Sequence, residues 1–144
     1  FGLSERTKGW INCPGTSPPA FSDSQLQSLK SVRVHPSRPE GINLPTPDAV
    51  YGTQQIQRLV SSARPQDIVF FLLSGGGSSL LTSPIEGISL EEKIRLTQHL
   101  SLHGATIHEL NAVRRCLSNV KGGGLIRSCN AGQAATFVIS DVLD

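Results

Sequence analysis

The six residues Ile68-Val69-Phe70-Phe71-Leu72-Leu73 run without a break into Ser74-Gly75-Gly76-Gly77-Ser78-Ser79. An apolar run of this length, rich in β-branched and aromatic residues, predicts a buried strand. Three glycines end it. Glycine lets the chain turn at positive φ and lets a ligand come close to the main chain. A strand opening into such a loop offers a cluster of N–H donors, and the two serines add hydroxyls. That combination suits a phosphate or a carboxylate. The loop fits none of three familiar templates. No Gly-Lys-Ser/Thr follows it, and Leu80 stands where both GxGxxG and GxSxG need a glycine.

Helical patterns flank this strand. A helix is expected from Asp48, capped by that residue, with Val50, Ile56, Leu59, Val60 and Ala63 facing a core and Arg64-Pro65 ending it. Ser89-Leu90-Glu91-Glu92 is a capping box that opens a second helix, reaching about His103, with Ile94, Leu96, Leu100 and Leu102 as its apolar contacts. Thr106-Ile107-His108-Glu109 is another capping box, and Ile107, Leu110, Val113 and Leu117 lie along one side of its helix. Residues 134–139 form a further short strand candidate entering Ser140-Asp141. Strands alternating with helices predict an α/β layer fold with a mostly parallel sheet. Residues 1–43 are rich in proline, serine and glycine, and read as loop with one short strand around Val32-Arg33-Val34.

A chain of 144 residues can bury one sizeable core. No apolar run reaches 18 residues, so no transmembrane helix and no membrane partner is expected. A net charge of +2 is too small to argue for nucleic acid. Cys13, Cys116 and Cys129 are scattered and odd in number, which favours neither a zinc cluster nor a disulfide framework. A reducing compartment follows: cytoplasmic, with mitochondrial as the alternative. Cys116 reads as a small core residue. The chain begins at Phe1 and stops at Asp144 just after an apolar run, as expected of a fragment of a longer protein. Self-association into a homo-oligomer is left open.

Four clusters carry chemistry. The glycine loop is the first. The second is the stretch from Glu109 to Arg115, where Asn111 and Arg114 share a helix face and Arg114 or Arg115 has the planar fork to clamp a carboxylate or phosphate. By itself that stretch also reads as a solvated basic face, and Glu109 as a helix-cap partner. The third is Lys121-Gly122-Gly123-Gly124, a point charge beside flexible backbone. From residue 110 to residue 140 there are four cations (Arg114, Arg115, Lys121, Arg127) and no acid. The fourth is Ser140-Asp141 at a strand end, where a carboxylate can hold Mg2+ or accept a hydroxyl proton. His99 and His103 are four apart, but the glutamate of HExxH is absent and no metal is expected there.

Taken together, these motifs resemble the glycerate 2-kinase family, whose members carry a C-terminal MOFRL domain. The resemblance rests on Leu73 with the SGGGSS loop, Pro84, Ser89-Leu90-Glu91-Glu92-Lys93, the run 104–111, Val113-Arg114-Arg115, Leu117-Ser118, Val120-Lys121-Gly122-Gly123 and Ser140-Asp141-Val142. It covers residues 44–144. It implies a Rossmann-like N-terminal α/β domain, incomplete in this chain, with the MOFRL domain absent. It also implies ATP-dependent phosphorylation of D-glycerate to 2-phosphoglycerate, with Mg2+, in a cleft between domains. Under it, Gly75, Gly76, Gly77, Ser78 and Ser79 hold an anionic group of nucleotide or substrate. Glu109 and Asn111 contact substrate, Lys121, Arg114 and Asp141 are catalytic, and Asp141 is the metal ligand. The alternative is a fragment that binds nucleotide or a partner subunit without turnover.

Overall fold

A computed structural model describes residues 6–16, 20, 22–28 and 30–139. The elements run β1 (Gly9–Pro14), α1 (Asp23–Ser28), β2 (Val32–Arg38), α2 (Pro47–Ser61), β3 (Ile68–Leu73), α3 (Gly77–Leu80), α4 (Leu90–Leu102), α5 (Ile107–Cys116), α6 (Gly124–Arg127) and β4 (Gln133–Val138). β1 pairs with β2 and β3 with β4, both parallel, as two separate two-stranded ladders. The α/β class with parallel strands is therefore borne out, with sheets that are incomplete.

The first 43 residues hold more structure than their composition suggested. β2 extends through Pro36 to Arg38, and β1 was not foreseen. Pro36 lacks an N–H for a ladder. It fits here because each strand of this two-stranded ladder is an edge strand, and the register slips between Cys13 and Pro14.

α2 begins one residue earlier than expected. Thr46, not Asp48, is the cap and accepts from Ala49 N, while Pro47 takes the first helical position, where no N–H is needed. Gly52 lies in its middle for a packing reason: a Cβ there would sit 2.2 Å from Asn12 Oδ1. The helix thus lies close against β1 and β2. Both capping boxes form as expected, on Ser89–Glu92 and Thr106–Glu109.

The core gathers Val60, Phe71, Val120 and Leu125, with Ile56, Val69, Leu81 and Cys129 packed around it. Cys129, not Cys116, is the core cysteine. Cys116 is exposed because it falls off the Leu110–Val113–Leu117 stripe of α5. β3 departs from the buried strand expected of it. Phe71 is covered, but Ile68, Phe70 and Leu72 on the alternate face are exposed, Leu72 by 76%. Phe137 of β4 joins that face, its ring 6.1 Å from that of Phe70. No described element covers it. Ile107 and Leu102 are likewise exposed, and the most buried side chain on α4 is Lys93. No helix among the described residues is long and apolar enough to cross a membrane.

Candidate anion site between two glycine turns

Two glycine turns of the same design face each other. Gly76 (φ 74°) caps the short α3, and Gly123 (φ 83°) caps the short α6. Both stand in the left-handed region, which a side chain tolerates poorly. In the first turn Gly77 N donates to Ser74 O, and Ser79 gives both its N–H and its hydroxyl to Gly76 O. The N–H groups of Gly75 and Gly76 make no hydrogen bond among the described residues.

Long-range bonds fix where the turns sit. Asn12 Nδ2 donates to Leu80 O at 2.8 Å, and Thr82 N to Thr53 Oγ1 at 2.8 Å, tying the segment after the first turn to β1 and α2. Asn119 then donates to Ser83 O through its backbone and to Pro84 O through its side chain. This clasp brings the second turn alongside the first. Lys121 closes the gap: its Nζ donates to Ser78 O at 2.9 Å and to Ser78 Oγ at 2.6 Å. Burial holds the Lys121 ammonium below the usual lysine range, and neighbouring Arg114 lowers it further.

A depression of about 300 Å3 opens at this junction, lined by Ser78, Asn111, Arg114, Arg115, Lys121 and Gly122. Among the described residues its lining has three cations and no carboxylate, so it suits an anion. The phosphates of a nucleotide or a phosphorylated product fit it. Mg2+ does not fit these residues: the lining lacks an acidic ligand, and no group of metal-ligating side chains stands among the described residues. A larger depression of about 440 Å3, between Lys8, Trp10, Gln55 and Arg58, lies at the amino ends of β1 and β2. Ligands of α/β folds gather at the carboxyl ends instead.

The structure thus brings Ser78, Asn111, Arg114 and Lys121 to one place, with Gly75, Gly76 and Gly77 in the adjoining turn. Ser79 is engaged within that turn. Glu109 is not part of the lining: its Oε2 accepts from Thr106 N and Thr106 Oγ1, both at 2.8 Å, and those bonds hold its carboxyl below the usual range. Asp141 and its neighbour Ser140 lie outside the described residues.

Two residues were missed by the sequence reading. Arg38, at the carboxyl end of β2, is nine-tenths buried, and its Nη2 lies 3.8 Å from where a Cβ on Gly76 would stand. Its Nη1 donates to Ile42 O and Asn43 Oδ1. Nothing in the prolines around it signalled this. Lys93 is 5% exposed. Apolar spacing did not signal it: the covered face runs through Lys93, Thr97 and Leu100, whereas Leu96, expected inward, is exposed.

A clasped pair of glycine turns beside parallel strands, with a cationic pocket between them, defines a candidate phosphate- or carboxylate-binding α/β domain. Comparison with known proteins gives the family. A family model described as "Domain of unknown function (DUF4147)" matches residues 5–144, and the chain belongs to that family. The chain is 46% identical over 101 residues to a glycerate kinase of Rattus norvegicus, covering 70% of this chain and 19% of that protein. It is 44% identical over 103 residues to a D-glycerate 2-kinase of Thermotoga maritima, covering 72% of this chain and 25% of that protein. Among solved structures, the Thermotoga maritima glycerate kinase matches with a TM-score of 0.76 and 38% identity over 94% of this chain and 30% of its own. The PH0495 protein of Pyrococcus horikoshii OT3 matches with a TM-score of 0.75 and 29% identity over 95% of this chain and 34% of its own. The resemblance drawn from the motifs is borne out. The chain spans about a fifth to a quarter of the length of these curated relatives.

Proposed function

We propose that this chain supplies one wall of the phosphoryl-transfer cleft of a D-glycerate 2-kinase that uses ATP. The observation that carries the reading is the Lys121–Ser78 bridge, which sets an ammonium and a guanidinium beside two glycine turns. Phosphoryl transfer depends on positioning and on neutralising charge spread over phosphate oxygens. Lys121 and Arg114 neutralise that charge. The N–H groups of Gly75 and Gly76, without a partner among the described residues, take oxygen atoms that approach the main chain. Asn111 orients a hydroxyl or carboxylate of the substrate from the same helix face as Arg114. When bound, Mg2+ would be held by carboxylates outside this lining, and Asp141, shortly after β4 in sequence, is the candidate. The three cysteines, free of disulfides, fit a reducing compartment such as the cytoplasm.

The test is a coupled assay for 2-phosphoglycerate, run on a protein carrying this segment at the full length of its relatives. ATP-dependent product from D-glycerate is expected. Turnover of another hydroxy acid but not glycerate would sink the substrate assignment. A second reading, nucleotide binding without turnover, is favoured by the lack of any carboxylate in the pocket lining. Calorimetry with ATP on that same full-length protein separates them: heat of binding with no phosphate transfer to D-glycerate supports the second.

A further inference from the structure

Among the described residues, two buried side-chain nitrogens have no hydrogen-bond partner: Arg38 Nε and Lys93 Nζ. Lys93 is the more demanding case, because an isolated buried ammonium is costly and normally pairs with an acid. Here it has none. It lies on α4, which packs on α5, and the charges that act on it are Lys121 and Arg114, both cations of the pocket. Its neighbours Glu91 and Glu92 are exposed, and Glu92 is spent on the Ser89 cap. We infer that Lys93 is a positioning residue for the anion site, a further positive charge behind Lys121 and Arg114 that strengthens their hold on a dianion without touching it.

This inference rests on the reading of the pocket as an anion site. Cations held together with no acid among the described residues repel one another when the pocket lacks an anion, and a bound dianion relieves that repulsion. Lys93 also makes the site responsive to pH. Burial, reinforced by Lys121 and Arg114, brings its pKa down to about 8. Below that pH it is charged and adds to the attraction; above it the contribution fades. A bound dianion draws its pKa back up.

The experiment is calorimetric titration of the 144-residue chain with sulfate, a dianion that does not itself titrate near neutral pH. Wild type, Lys93→Met, Lys93→Arg and Lys121→Met are compared between pH 7 and 9.5. At pH 7, Lys93→Met should weaken sulfate by roughly tenfold, the size expected of one unit charge at partly screened range. The gap to wild type should close by pH 9.5, and Lys93→Arg should keep wild-type affinity without that closing. Lys93→Met should melt no lower than wild type, since it removes a buried charge. Equal affinity of wild type and Lys93→Met at every pH, with Lys121→Met still weakened, would overturn the role of Lys93 and leave the anion site standing. No sulfate binding by wild type would overturn both.

Discussion

Gly76 and Gly77 are neighbours with different duties. Gly76 stands at φ 74° and must turn the chain, whereas Gly77 has an ordinary backbone and nothing within 4 Å of an added Cβ. Gly76→Ala should therefore cost about 1–2 kcal/mol of stability, the usual penalty of the left-handed region, read as a lower denaturation midpoint. Gly77→Ala should leave the midpoint in place and weaken ATP or sulfate binding, because its methyl fills the approach to the main chain. Unchanged binding in Gly77→Ala would remove the close-approach argument. The sequence marked the three glycines as a unit, since their contrast with the apolar run is local. It could not separate their duties, because that depends on a φ angle set by the turn. Lys121 was readable as a cation beside glycine, but its partner Ser78 lies 43 residues away in sequence, brought close by the Asn119 clasp.

At the scale of elements, the helix starts were the most legible features. Ser89 and Thr106 each precede a glutamate by three residues, and that spacing needs no tertiary information. Glu92 and Glu109 are both held below the ordinary range of 4.5, chiefly by the backbone hydrogen bonds of their own caps. A depressed carboxyl stabilises the fold above its unfolded pKa, and that contribution is lost as pH falls through the folded value. Acid should thus erode the wild-type chain below about pH 4.5, and Glu109→Gln should flatten that part of the stability-versus-pH curve in urea titrations. Lys93 works in the opposite window. Its folded pKa of about 8 lies below the ordinary 10.5, so between them the unfolded chain binds more protons. Stability should rise from pH 8 to 10, and Lys93→Met should abolish the rise. The faces of these helices were less legible than their ends. Apolar spacing placed Leu102 and Ile107 inward, yet both are exposed while Lys93 is covered, because periodicity finds a stripe but not the element that packs on it.

At the scale of the molecule, the outstanding feature is the open face of the β3–β4 ladder, formed by Ile68, Phe70, Leu72 and Phe137. An exposed contiguous apolar patch promotes association. Leu72→Lys should reduce self-association in analytical ultracentrifugation and leave the melting midpoint nearly unchanged, since Leu72 is already 76% exposed. The strand itself was legible; its exposure was not, for a sequence run reports what a residue prefers and not what covers it. Of the β1–β2 pair only the start of β2, around Val32-Arg33-Val34, was legible; prolines and polar residues mask the rest of its alternation, and α2 lies against both strands. The fold class survived these local misses because the β3–α3 turn, the capped helices and β4 are enough to impose parallel pairing.

On the proposed function, Lys121 joins the two glycine turns into the phosphate wall of the cleft. The most direct test of that role compares kcat/KM for D-glycerate and ATP in wild type and Lys121→Met, in a protein carrying this segment at the full length of its relatives. The variant should remain folded and lose roughly a hundredfold in kcat/KM, the scale of one preorganised charge at the reacting group. Wild-type kcat/KM in a folded Lys121→Met protein would contradict it.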